Sequence, residues 1–381
     1  MEKEKNIPTC LIVGKYYFPF EGGIEDNIRN ISTKLSETNN VNVLSFSHNA
    51  SNGVEIIDGV RVIRCKTQIV WKSQPVSISY AAKVLTEPAD VIHFHAPNVW
   101  GSLFLFIRFK ILKSKSRLVI THHMDIYGRP ILRYFARFLY DTLVSHSKSV
   151  IVTSLKNAKI SEDLRVDCSI ESIPLGLDVK RFALSKEIEI EASELRHSLG
   201  GGPLIAFVGR HARYKGLDIL LHAVAQLPDV RLILAGDGPC TVLLQKTAAE
   251  LGVADRVIFT GRVTHEKKMA ILKAADVFAF PSTEITEAFG ISQLEAMIVG
   301  TPVVASNLPT GVTDVSINNV SALLVEPNDS HSLASGLNKI LEDKKLSTRI
   351  ATCARNRVLS IFNNDIVSKK AAEVIERAII K

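Results

Sequence analysis

Residues 277–306 read VFAFPSTEITEAFGISQLEAMIVGTPVVAS. Two short apolar runs, Val277–Phe280 and Pro302–Ala305, enclose a segment whose apolar residues recur with helical spacing. Runs that are apolar at successive positions, rather than at every second one, are typical of strands covered on both faces in a parallel sheet. The stretch therefore predicts a strand–helix–strand unit within such a sheet.

The same alternation of apolar runs and helical patterns extends in both directions along the chain. Predicted strands of the first half are Cys10–Gly14, Val41–Phe46, Val91–Phe94, Leu118–Thr121 and Val150–Thr153. Helical segments between them include Ile24–Leu35, Val99–Leu112 and Ile131–Val144. Further strands precede the quoted stretch at Leu204–Val208, Arg231–Ala235 and Val257–Thr260. This alternation predicts an α/β fold with one doubly wound, Rossmann-like parallel sheet in each half.

The boundary between two predicted domains lies in IPLGLDVKRF, residues 173–182, which precedes a polar, acidic stretch. A chain of 381 residues is too long for one ordinary core. We therefore predict a first domain over residues 1–180 and a second over residues 181–364. The final helical stretch, 365–381, is amphipathic and could pack on either domain, including back on the first.

Composition narrows the classes of partner and cellular location. Hydrophobic residues make up 46% of the chain, which excludes disorder, and the formal net charge of +7 favours anionic partners. The basic residues are dispersed without a reading motif, so nucleic acid is not a predicted partner. Five scattered cysteines without metal-ligand spacing indicate reduced thiols of a cytoplasmic protein. The charged start fits no signal peptide, and the longest apolar run, Leu103–Ile107, is far shorter than a membrane span.

Two loops that follow predicted strands carry residues suited to an anion. Gly22 and Gly23 open a helix, where close backbone approach and the helix amides favour negative charge. Arg210 and Lys215 follow the strand Leu204–Val208, and a bidentate guanidinium beside a point-charge ammonium suits a pyrophosphate. A tight turn and a solvated basic loop are the respective alternatives, and both stay open.

The quoted stretch contains two glutamates that enclose seven residues. Glu287 lies in the loop, Gly290 marks the start of the helix, and Glu295 lies about two turns into it. A carboxylate on an apolar helix face needs a partner, which ribose hydroxyls or a structural salt bridge would supply. Surface exposure is the alternative for Glu287. The amides near Gly290 can face a ligand oxygen.

A longer series of motifs surrounds these glutamates. From Leu204 to Asp329 the segments GRHARYKG, LAGDGP, DRVIFTGRV, ADVFAFPS, EAFGISQLEAMIVGTPVVAS and VEPND follow one another. Their order and spacing resemble the retaining glycosyltransferases of family 4, and the resemblance covers essentially the whole chain. It implies a hexosyltransferase with the GT-B fold, in which two Rossmann-like domains face each other across a cleft. The first would bind the acceptor and the second a nucleotide-sugar donor.

The resemblance also implies roles for single residues that hold the nucleotide. Arg210 and Lys215 match the family's pair on the donor diphosphate, and Glu295 matches the ribose-binding glutamate. Arg262 lies where the family's loop flanks the nucleobase. Gly22–Gly23 resembles the first-domain loop that closes over the diphosphate.

Further positions resemble those that surround the transferred sugar. Glu287 matches the residue that accepts hydrogen bonds from hydroxyls of the donor sugar, and the backbone of Ala288, Phe289 and Gly290 lies beside the same sugar. We therefore predict that Glu287, Arg210 and Lys215 serve catalysis as well as binding.

Histidines form the remaining group. His123, in the segment ITHHMDIYG of residues 120–128, matches a family histidine close to the reacting anomeric centre. We therefore predict a catalytic role in transfer for His123, and adjacent His122 is the competing candidate. His93 and His95 alternate along a strand, so both rings should face one side. No third metal ligand is evident, and we interpret this pair as cleft-lining or structural.

No Asp-x-Asp sequence occurs in the chain. The metal–diphosphate clamp of other glycosyltransferases therefore has no predicted ligands, and Arg210, Lys215 and helix amides would hold the charge of the leaving group. We predict transfer without a metal or other cofactor. The resemblance implies retention of configuration, with a diphosphate oxygen taking the proton of the acceptor and no covalent intermediate.

Two segments of the first domain combine apolar and basic residues. Residues 100–117 lead from an apolar run into four cations, and residues 129–140 carry Arg129, Arg133 and Arg137 at intervals of four. Such helices lie at anionic bilayer surfaces, but an ordinary helix with a solvated basic rim has the same pattern. A polyprenyl-diphosphate-linked saccharide acceptor and peripheral contact with the inner face of the cell membrane would explain both segments.

The choice of donor depends on a narrower resemblance. Thr310-Gly311-Val312 and the HxH…THHxD pattern resemble bacterial mannosyltransferases of polysaccharide and O-antigen (lipopolysaccharide) biosynthesis, which favours GDP-mannose. A UDP-hexose is the alternative donor. Other interpretations of this architecture are a nucleotide-sugar epimerase, a donor hydrolase and a non-enzymatic nucleotide-sugar-binding module.

Overall fold

The computed structural model describes residues 7–20, 22–47, 51–71, 74–126, 130–164 and 168–380. The chain divides into two compact units. Unit 1 comprises Met1–Gly176 and Asp365–Lys381, and unit 2 comprises Leu177–Asn364. Each unit is an α/β fold built on a mainly parallel sheet, which confirms the predicted fold class.

The strands of unit 1 are β1 (Thr9–Val13), β2 (Asn40–Ser47), β3 (Gly53–Ile57), β4 (Val60–Lys66), β5 (Ile69–Trp71), β6 (Gln74–Val76), β7 (Val91–Ala96), β8 (Arg117–His122), β9 (Ser149–Val152) and β10 (Ile170–Ser172). Eight of them form one sheet in the order β10-β9-β8-β7-β1-β2-β4-β3, and β5 pairs with β6. Central β1 runs parallel to β2 and β7. Strands β1, β7 and β8 are buried at nearly every position, which explains their continuous apolar runs.

The helices of unit 1 between these strands are α1 (Gly23–Leu35), α2 (Ile78–Thr86), α3 (Val99–Phe106), α4 (Pro130–His146) and α5 (Leu155–Ile160). Side-chain caps set the start of α2 and α3. Ser77 Oγ accepts a hydrogen bond from the backbone N–H of Tyr80 at 3.1 Å, and Asn98 Oδ1 accepts one from Gly101 at 2.9 Å. The Asn98 cap begins α3 just beyond the carboxyl end of β7.

One edge of the unit 1 sheet is an antiparallel hairpin that the sequence prediction did not include. Strand β3 pairs antiparallel with β4, and Ile57 faces Val60 across a two-residue turn. The turn residues Asp58 and Gly59 have φ of 51° and 78°. Positive φ at both positions matches the right-handed twist of a tight hairpin, so the Asp-Gly dipeptide is the signal that identifies it.

Unit 2 contains the strands β11 (Leu204–Val208), β12 (Arg231–Ala235), β13 (Val257–Gly261), β14 (Val277–Phe280), β15 (Val303–Ser306) and β16 (Leu323–Val325). They form one sheet in the order β13-β12-β11-β14-β15-β16. Every neighbouring pair in it is parallel. The predicted bounds of β11, β12 and β14 coincide with those observed.

The helices of unit 2 are α6 (Lys186–Ser198), α7 (Leu217–Ala225), α8 (Thr241–Glu250), α9 (His265–Ala274), α10 (Ile291–Val299), α11 (Val312–Val315), α12 (Ser330–Glu342) and α13 (Lys344–Ser360). Phe207 of β11, Leu220 of α7 and Leu337 of α12 are fully buried in one core cluster. Burial of such a side chain contributes roughly 1.5–3 kcal/mol. These contacts show that helices α7 and α12 cover the sheet whose following loops and helices carry Glu287 and Glu295.

The last helix of the chain, α14 (Asn364–Ile380), packs within unit 1. Ala371 and Ile375 are fully buried in the same core cluster as Ile12 and Ile28. The sequence pattern left open which domain this helix joins. The apolar stripe of α14 thus completes the core around β1 and α1.

Two further observations concern the chain as a whole. All five cysteines are free, and burial raises the pKa of the Cys10 thiol to about 12. Within the described part of the chain, every helix is too short or too polar to cross a membrane.

Candidate functional site

Each sheet has a topological switch point, where the connections from two neighbouring parallel strands lead to opposite sides of the sheet order. In unit 2, β12 and β13 lie on one side of β11, whereas β14, β15 and β16 lie on the other. In unit 1, β2 lies on one side of β1, and β7, β8 and β9 lie on the other. At a switch point the loops that follow the two strands separate and leave a crevice at the carboxyl ends, which is where open α/β sheets bind ligands. The loops after β1, β7, β11 and β14 are therefore the best-placed segments for a site.

Lys215 lies in the loop that follows β11. The loop ends in a 3₁₀ turn, Arg213–Lys215, and Gly216 follows with φ of 63°. A Cβ at Gly216 would lie 2.1 Å from the carbonyl oxygen of Pro281, in the loop after β14. Glycine is therefore required for the close packing of these two loops, which brings Lys215 to the end of β14.

Lys215 and Glu287 form a direct ion pair. The Lys215 ammonium donates to Glu287 Oε2, and the Ser282 hydroxyl donates to the same oxygen at 2.9 Å. The two charged side chains are only 12% and 9% exposed, so each charge depends on the other. Both bonds end on Oε2, which leaves Oε1 for a further donor, and the ammonium retains two more N–H groups.

The backbone that follows Glu287 is held by hydrogen bonds. Thr310 Oγ1 donates to the Glu287 carbonyl at 2.9 Å, and Gln293 Nε2 donates to the Phe289 carbonyl at 3.0 Å. Gly290 starts α10 with φ of 81°, and a Cβ there would lie 2.4 Å from an aromatic ring carbon. The loop that carries Ala288, as well as these residues, is thus held in one conformation at the N-terminus of α10.

Glu295, on α10, pairs with Lys268 of α9. The Lys268 Nζ lies 2.6 Å from Glu295 Oε1, and it also lies 5.4 Å from the centroid of the Phe182 ring. The salt bridge engages one carboxylate oxygen, so Oε2 remains for ribose hydroxyls. Sequence reasoning missed Lys268 because only tertiary packing brings these two positions together, 27 residues apart.

The two predicted arginines of unit 2 are exposed. The pKa of the Asp237 carboxyl is lowered mainly by hydrogen bonds from Thr241 and from the Gly238 backbone. The positive charge of Arg262 lowers it further. Among the described residues, the Arg210 side chain has no partner. The contacts of either arginine with a ligand stay predictions.

Gly22 and Gly23 lie at the start of α1, after β1. Gly22 is extended, with φ of 178°, a conformation open to any residue. The first turn of α1 contains Glu25 and Asp26, whose carboxylates already complement the positive end of the helix dipole. This geometry supports a diphosphate at Gly22–Gly23 less strongly than Lys215 supports one in unit 2.

His122 belongs to a structural network. Its Nδ1 lies 2.8 Å from the Tyr140 hydroxyl and its Nε2 lies 3.2 Å from Asp125 Oδ1. Burial alone would raise the pKa of Asp125, but hydrogen bonds from His122, Ser161 and the Glu162 backbone outweigh it and lower that pKa to about 2. Both ring nitrogens of His122 are therefore engaged within unit 1, which favours His123 as the residue that meets a ligand.

His93, His95 and His123 form a neutral cluster, called here the histidine cluster. His95 Nδ1 lies 2.9 Å from His123 Nε2, and the ring centroids of His93 and His95 are 4.3 Å apart. Burial lowers the pKa of His93 and of His123 to about 3, and it lowers the pKa of His95 well below its ordinary value. All three rings are therefore uncharged at neutral pH.

Metal binding has no candidate in the described ranges. Nowhere in them do three or more His, Cys, Asp or Glu side chains form a group able to hold a metal ion. The interpretation of His93 and His95 as cleft-lining or structural stays a prediction. Transfer without a metal or other cofactor stays a prediction.

Helix α4 presents large apolar side chains to solvent. Tyr134, Phe135 and Phe138 are 80%, 48% and 55% exposed. The neighbouring cations are partly neutralised, because Arg133 and Arg137 lie 2.7 Å and 3.2 Å from a carboxylate oxygen of Glu162.

Not every residue of the predicted basic surface can be placed. Arg129, which belongs to the same predicted row of cations, lies outside the described residues. Residues 107–111, within the other predicted segment, continue α3 as a π-helix, and Ile111 is exposed at its end.

Comparison with protein families agrees with this architecture. A model described as Glycosyltransferase Family 4 matches residues 21–181, and a model described as Glycosyl transferases group 1 matches residues 191–357. O-antigen chain mannosyltransferase C from Escherichia coli is 27% identical, over 93% of this chain and 94% of its own. D-rhamnosyltransferase WbpZ from Pseudomonas aeruginosa is 30% identical, over 84% of this chain and 82% of its own.

Two further similarities are to a mannosyltransferase and to a solved structure. The GDP-mannose-dependent alpha-(1-6)-phosphatidylinositol monomannoside mannosyltransferase of Mycolicibacterium smegmatis is 25% identical, over 96% of this chain and 97% of its own. The structure of sucrose-phosphate synthase from Thermosynechococcus elongatus superposes with a TM-score of 0.78 at 21% identity, over 97% of this chain and 98% of that one. That likeness concerns the fold alone.

Proposed function

This chain belongs to glycosyltransferase family 4 and is a hexosyltransferase, and we propose that it transfers a mannosyl group from GDP-mannose to a saccharide acceptor in O-antigen or related polysaccharide synthesis. The observation that carries transfer from a nucleotide sugar is the Lys215–Glu287 pair, which lies in the loops after the parallel strands β11 and β14 of unit 2. A donor of this class has an anionic diphosphate and a neutral sugar rich in hydroxyl groups. An ammonium with free N–H groups beside a carboxylate with a free oxygen suits both parts.

Each polar group of the donor has a proposed partner. Lys215 and Arg210 bind the diphosphate, and Glu287 accepts hydrogen bonds from sugar hydroxyls through Oε1. Glu295 accepts hydrogen bonds from the ribose through Oε2, while Lys268 holds its other oxygen. The N-terminal amides of α10 add positive potential close to Glu287.

The proposed transfer step conserves atoms and charge. The acceptor hydroxyl oxygen forms a bond to the anomeric carbon on the face from which the diphosphate oxygen departs, which retains configuration. The acceptor proton passes to that diphosphate oxygen. Lys215 and Arg210 stabilise the charge that develops on the leaving nucleoside diphosphate, so no covalent intermediate and no metal are needed.

The choice of guanine as the donor base and of mannose as the sugar depends on the names of relatives. One relative is a GDP-mannose-dependent mannosyltransferase and another is an O-antigen chain mannosyltransferase. A UDP-hexose is the alternative, since one structural neighbour was solved in complex with UDP-glucose. The residues described for unit 2 suit either nucleotide.

Thermal shift tests the donor. The protein is heated with GDP, UDP, ADP, GDP-mannose or UDP-linked hexoses, with and without a chelator. A ligand at 100 times its Kd stabilises the native state by about 2.7 kcal/mol, so a selective rise in Tm identifies the base. A rise with GDP species alone supports the proposal. A rise with UDP species alone overturns the donor while leaving the enzyme class in place.

Product analysis distinguishes the proposal from its rivals. Purified protein is incubated with GDP-mannose and with a mannose-terminated polyprenyl-diphosphate saccharide. A lengthened saccharide supports the transferase. Free mannose in equal yield with and without acceptor would indicate a hydrolase, an altered donor would indicate an epimerase, and binding without turnover would indicate a binding module.

A lipid-linked acceptor would bring unit 1 to a membrane surface, and α4 offers the contact. Its exposed rings Tyr134, Phe135 and Phe138 supply apolar area that inserts at the headgroup level. Because Glu162 already engages Arg133 and Arg137, these rings, rather than the arginines, carry this part of the proposal.

Vesicle flotation tests the membrane contact. Wild-type protein should float with vesicles that contain anionic lipid, and a variant with Phe135→Ser and Phe138→Ser should float several-fold less. The matched control is Val242→Ser with Leu243→Ser, since both residues are exposed on α8 in unit 2. Equal flotation of all three proteins, or none by the wild type, contradicts the proposal.

A further inference from the structure

The histidine cluster contains a hydrogen bond between two uncharged rings, His95 Nδ1 to His123 Nε2 at 2.9 Å. The two rings are nearly parallel, with an interplanar angle of 20°. A neutral imidazole carries one N–H and one acceptor nitrogen. One of the two rings must therefore donate and the other accept, and the direction decides which nitrogen of His123 keeps its proton.

The surroundings of His95 indicate the direction. His95 is 2% exposed, and its Nε2 is buried without a hydrogen-bond partner. A proton on Nε2 would be a buried, unsatisfied donor, and the bond to His123 would then need the proton of His123. Buried unpaired N–H groups are rarer in proteins than under-satisfied acceptors. The proton of His95 therefore belongs on Nδ1, where it has an acceptor.

The neighbouring ring does not offset this arrangement. His93 Nε2 lies 2.7 Å from Thr121 Oγ1, and His93 Nδ1 is also buried without a partner. The hydrogen bond of the His93 ring is therefore to Thr121 and not to His95. His95 is therefore the donor to His123, and His93 takes no part in that hydrogen bond.

We propose that His95 is a positioning residue that holds His123 as the Nδ1–H tautomer, so that His123 is a hydrogen-bond donor to an oxygen of the substrate and not a base. The inference rests on the proposed role of His123 in transfer. With Nε2 occupied by the bond from His95, the free edge of His123 offers only an N–H. The proton of the acceptor hydroxyl must then go to another group, which agrees with its transfer to a diphosphate oxygen.

The tautomer can be measured without any turnover. Protein with ¹⁵N-labelled histidine is examined by long-range ¹H–¹⁵N correlation NMR, and His123 is assigned by its loss in His123→Gln. We expect Nδ1–H for His123 in the wild type. In His95→Leu the Nε2–H form should appear, whereas His95→Asn should keep Nδ1–H, because its amide N–H can occupy the position of Nδ1. An Nε2–H His123 in the wild type overturns the inference.

Kinetics separate positioning from packing. His95→Leu should lower kcat at least about tenfold with little change in KM for the donor, and His95→Asn should restore most of the loss. Thr121→Val removes the partner of His93 and should leave the tautomer of His123 unchanged. Equal losses in His95→Leu and His95→Asn contradict the inference.

The two proposals fail in different ways. If His123→Gln retains full turnover while the wild type shows Nδ1–H, the role of His123 in transfer fails and its tautomer assignment stands. If His123→Gln is inactive while the tautomer is Nε2–H, the reverse holds. Should His95→Leu fail to fold, the wild-type spectrum and His95→Asn still decide the question.

Discussion

The candidate site of unit 2 is built from opposite charges, whereas that of unit 1 is built from uncharged rings. Lys215 and Glu287 are 12% and 9% exposed, and His123 is 6% exposed, so burial is similar. What differs is the partner. Lys215 has a carboxylate against it, while the hydrogen-bond partner of His123 is another histidine.

Adjacent residues in unit 1 also differ in their partners. His122 lies 3.2 Å from Asp125, whereas the neighbouring His123 bonds to His95. A buried group keeps a charge only where a counter-charge offsets its desolvation. Unit 2 can therefore hold an anionic ligand and bind hydroxyl groups. The histidine cluster can offer directed but uncharged hydrogen bonds.

The largest effect is expected from Lys215→Ala. Loss of the ammonium removes the charge that stabilises the leaving diphosphate, so kcat/KM should fall by roughly 10²–10³ or more. The measurement is steady-state turnover of the donor with the saccharide acceptor. Lys267→Ala is the control, because Lys267 forms a partly exposed ion pair with Glu191 elsewhere in unit 2. Wild-type turnover in Lys215→Ala would break the charge-based view of unit 2.

Folding must be separated from function in that experiment. Lys215→Ala leaves Glu287 buried without a counter-ion, which costs about 3–5 kcal/mol. Adding Glu287→Gln removes the unpaired charge, so the double variant should regain much of the lost Tm and none of the turnover. Recovery of turnover in the double variant would show that the single change acted through stability.

A smaller effect is expected from His123→Ala. One hydrogen bond to the reacting groups is worth roughly 1–3 kcal/mol, so kcat should fall about tenfold to a hundredfold. Nucleotide binding should be largely unchanged, because Lys215, Arg210 and Glu295, the side chains proposed to bind the nucleotide, belong to unit 2. The check is kcat together with the Tm rise caused by the nucleoside diphosphate. If that Tm rise disappears, the division of roles between the two sites is wrong.

Glu295→Gln should act on recognition of the ribose. Wild-type protein should bind the nucleoside diphosphate at least about tenfold more tightly than its 2′,3′-dideoxy analogue, since each charge-assisted hydrogen bond contributes about 1.5–3 kcal/mol. In Glu295→Gln this preference should shrink. Calorimetric Kd values for both nucleotides provide the measurement. Unchanged preference in the variant would leave Glu295 with a purely structural salt bridge to Lys268.

The last prediction concerns pH and unit 1. The folded-state pKa values of His93 and His123 are lowered to about 3 from 6.5. Below pH 6.5 the unfolded chain binds more protons than the folded one, so stability should fall as pH drops toward 3, by up to about 1.4 kcal/mol per pH unit for each ring. Between pH 7 and pH 5 the Tm of unit 1 should decrease by several degrees.

Tryptophan fluorescence isolates this effect. The two tryptophans, Trp71 and Trp100, both belong to unit 1, so their emission follows the unfolding of that unit. His93→Gln removes one titrating ring and should make the dependence on pH shallower. A tryptophan transition that does not move between pH 7 and pH 5 would contradict neutral burial of the histidine cluster.

Much of the fold was predictable because buried parallel strands leave a local pattern. The strands Leu204–Val208, Arg231–Ala235 and Val277–Phe280 were predicted with their observed bounds, since continuous apolar runs mark burial on both faces. The hairpin β3–β4 was not predicted, although the dipeptide Asp58-Gly59 is a typical hairpin-turn sequence. Its strand β3 lies at the exposed edge of the sheet, where no continuous apolar run is needed.

The site divides in the same way. Glu287, Gly290 and Glu295 were singled out from spacing, because the loop and the first turns of α10 are local. Lys268 and the pairing of His95 with His123 were not, since each contact joins positions that are far apart in the sequence.

The sequence by itself determined the alternation of strands and helices, the family, and the residue types offered to a donor, because these depend on local pattern and composition. Only the tertiary structure decided that α14 completes unit 1 and that Lys215 neutralises Glu287. It also decided that His122 bonds through both ring nitrogens to Tyr140 and Asp125, whereas His123 bonds to His95 through Nε2. Those outcomes depend on which loops meet at the carboxyl ends of neighbouring strands and on which buried groups find a counter-charge. Strand order sets both, and strand order is a property of the folded sheet.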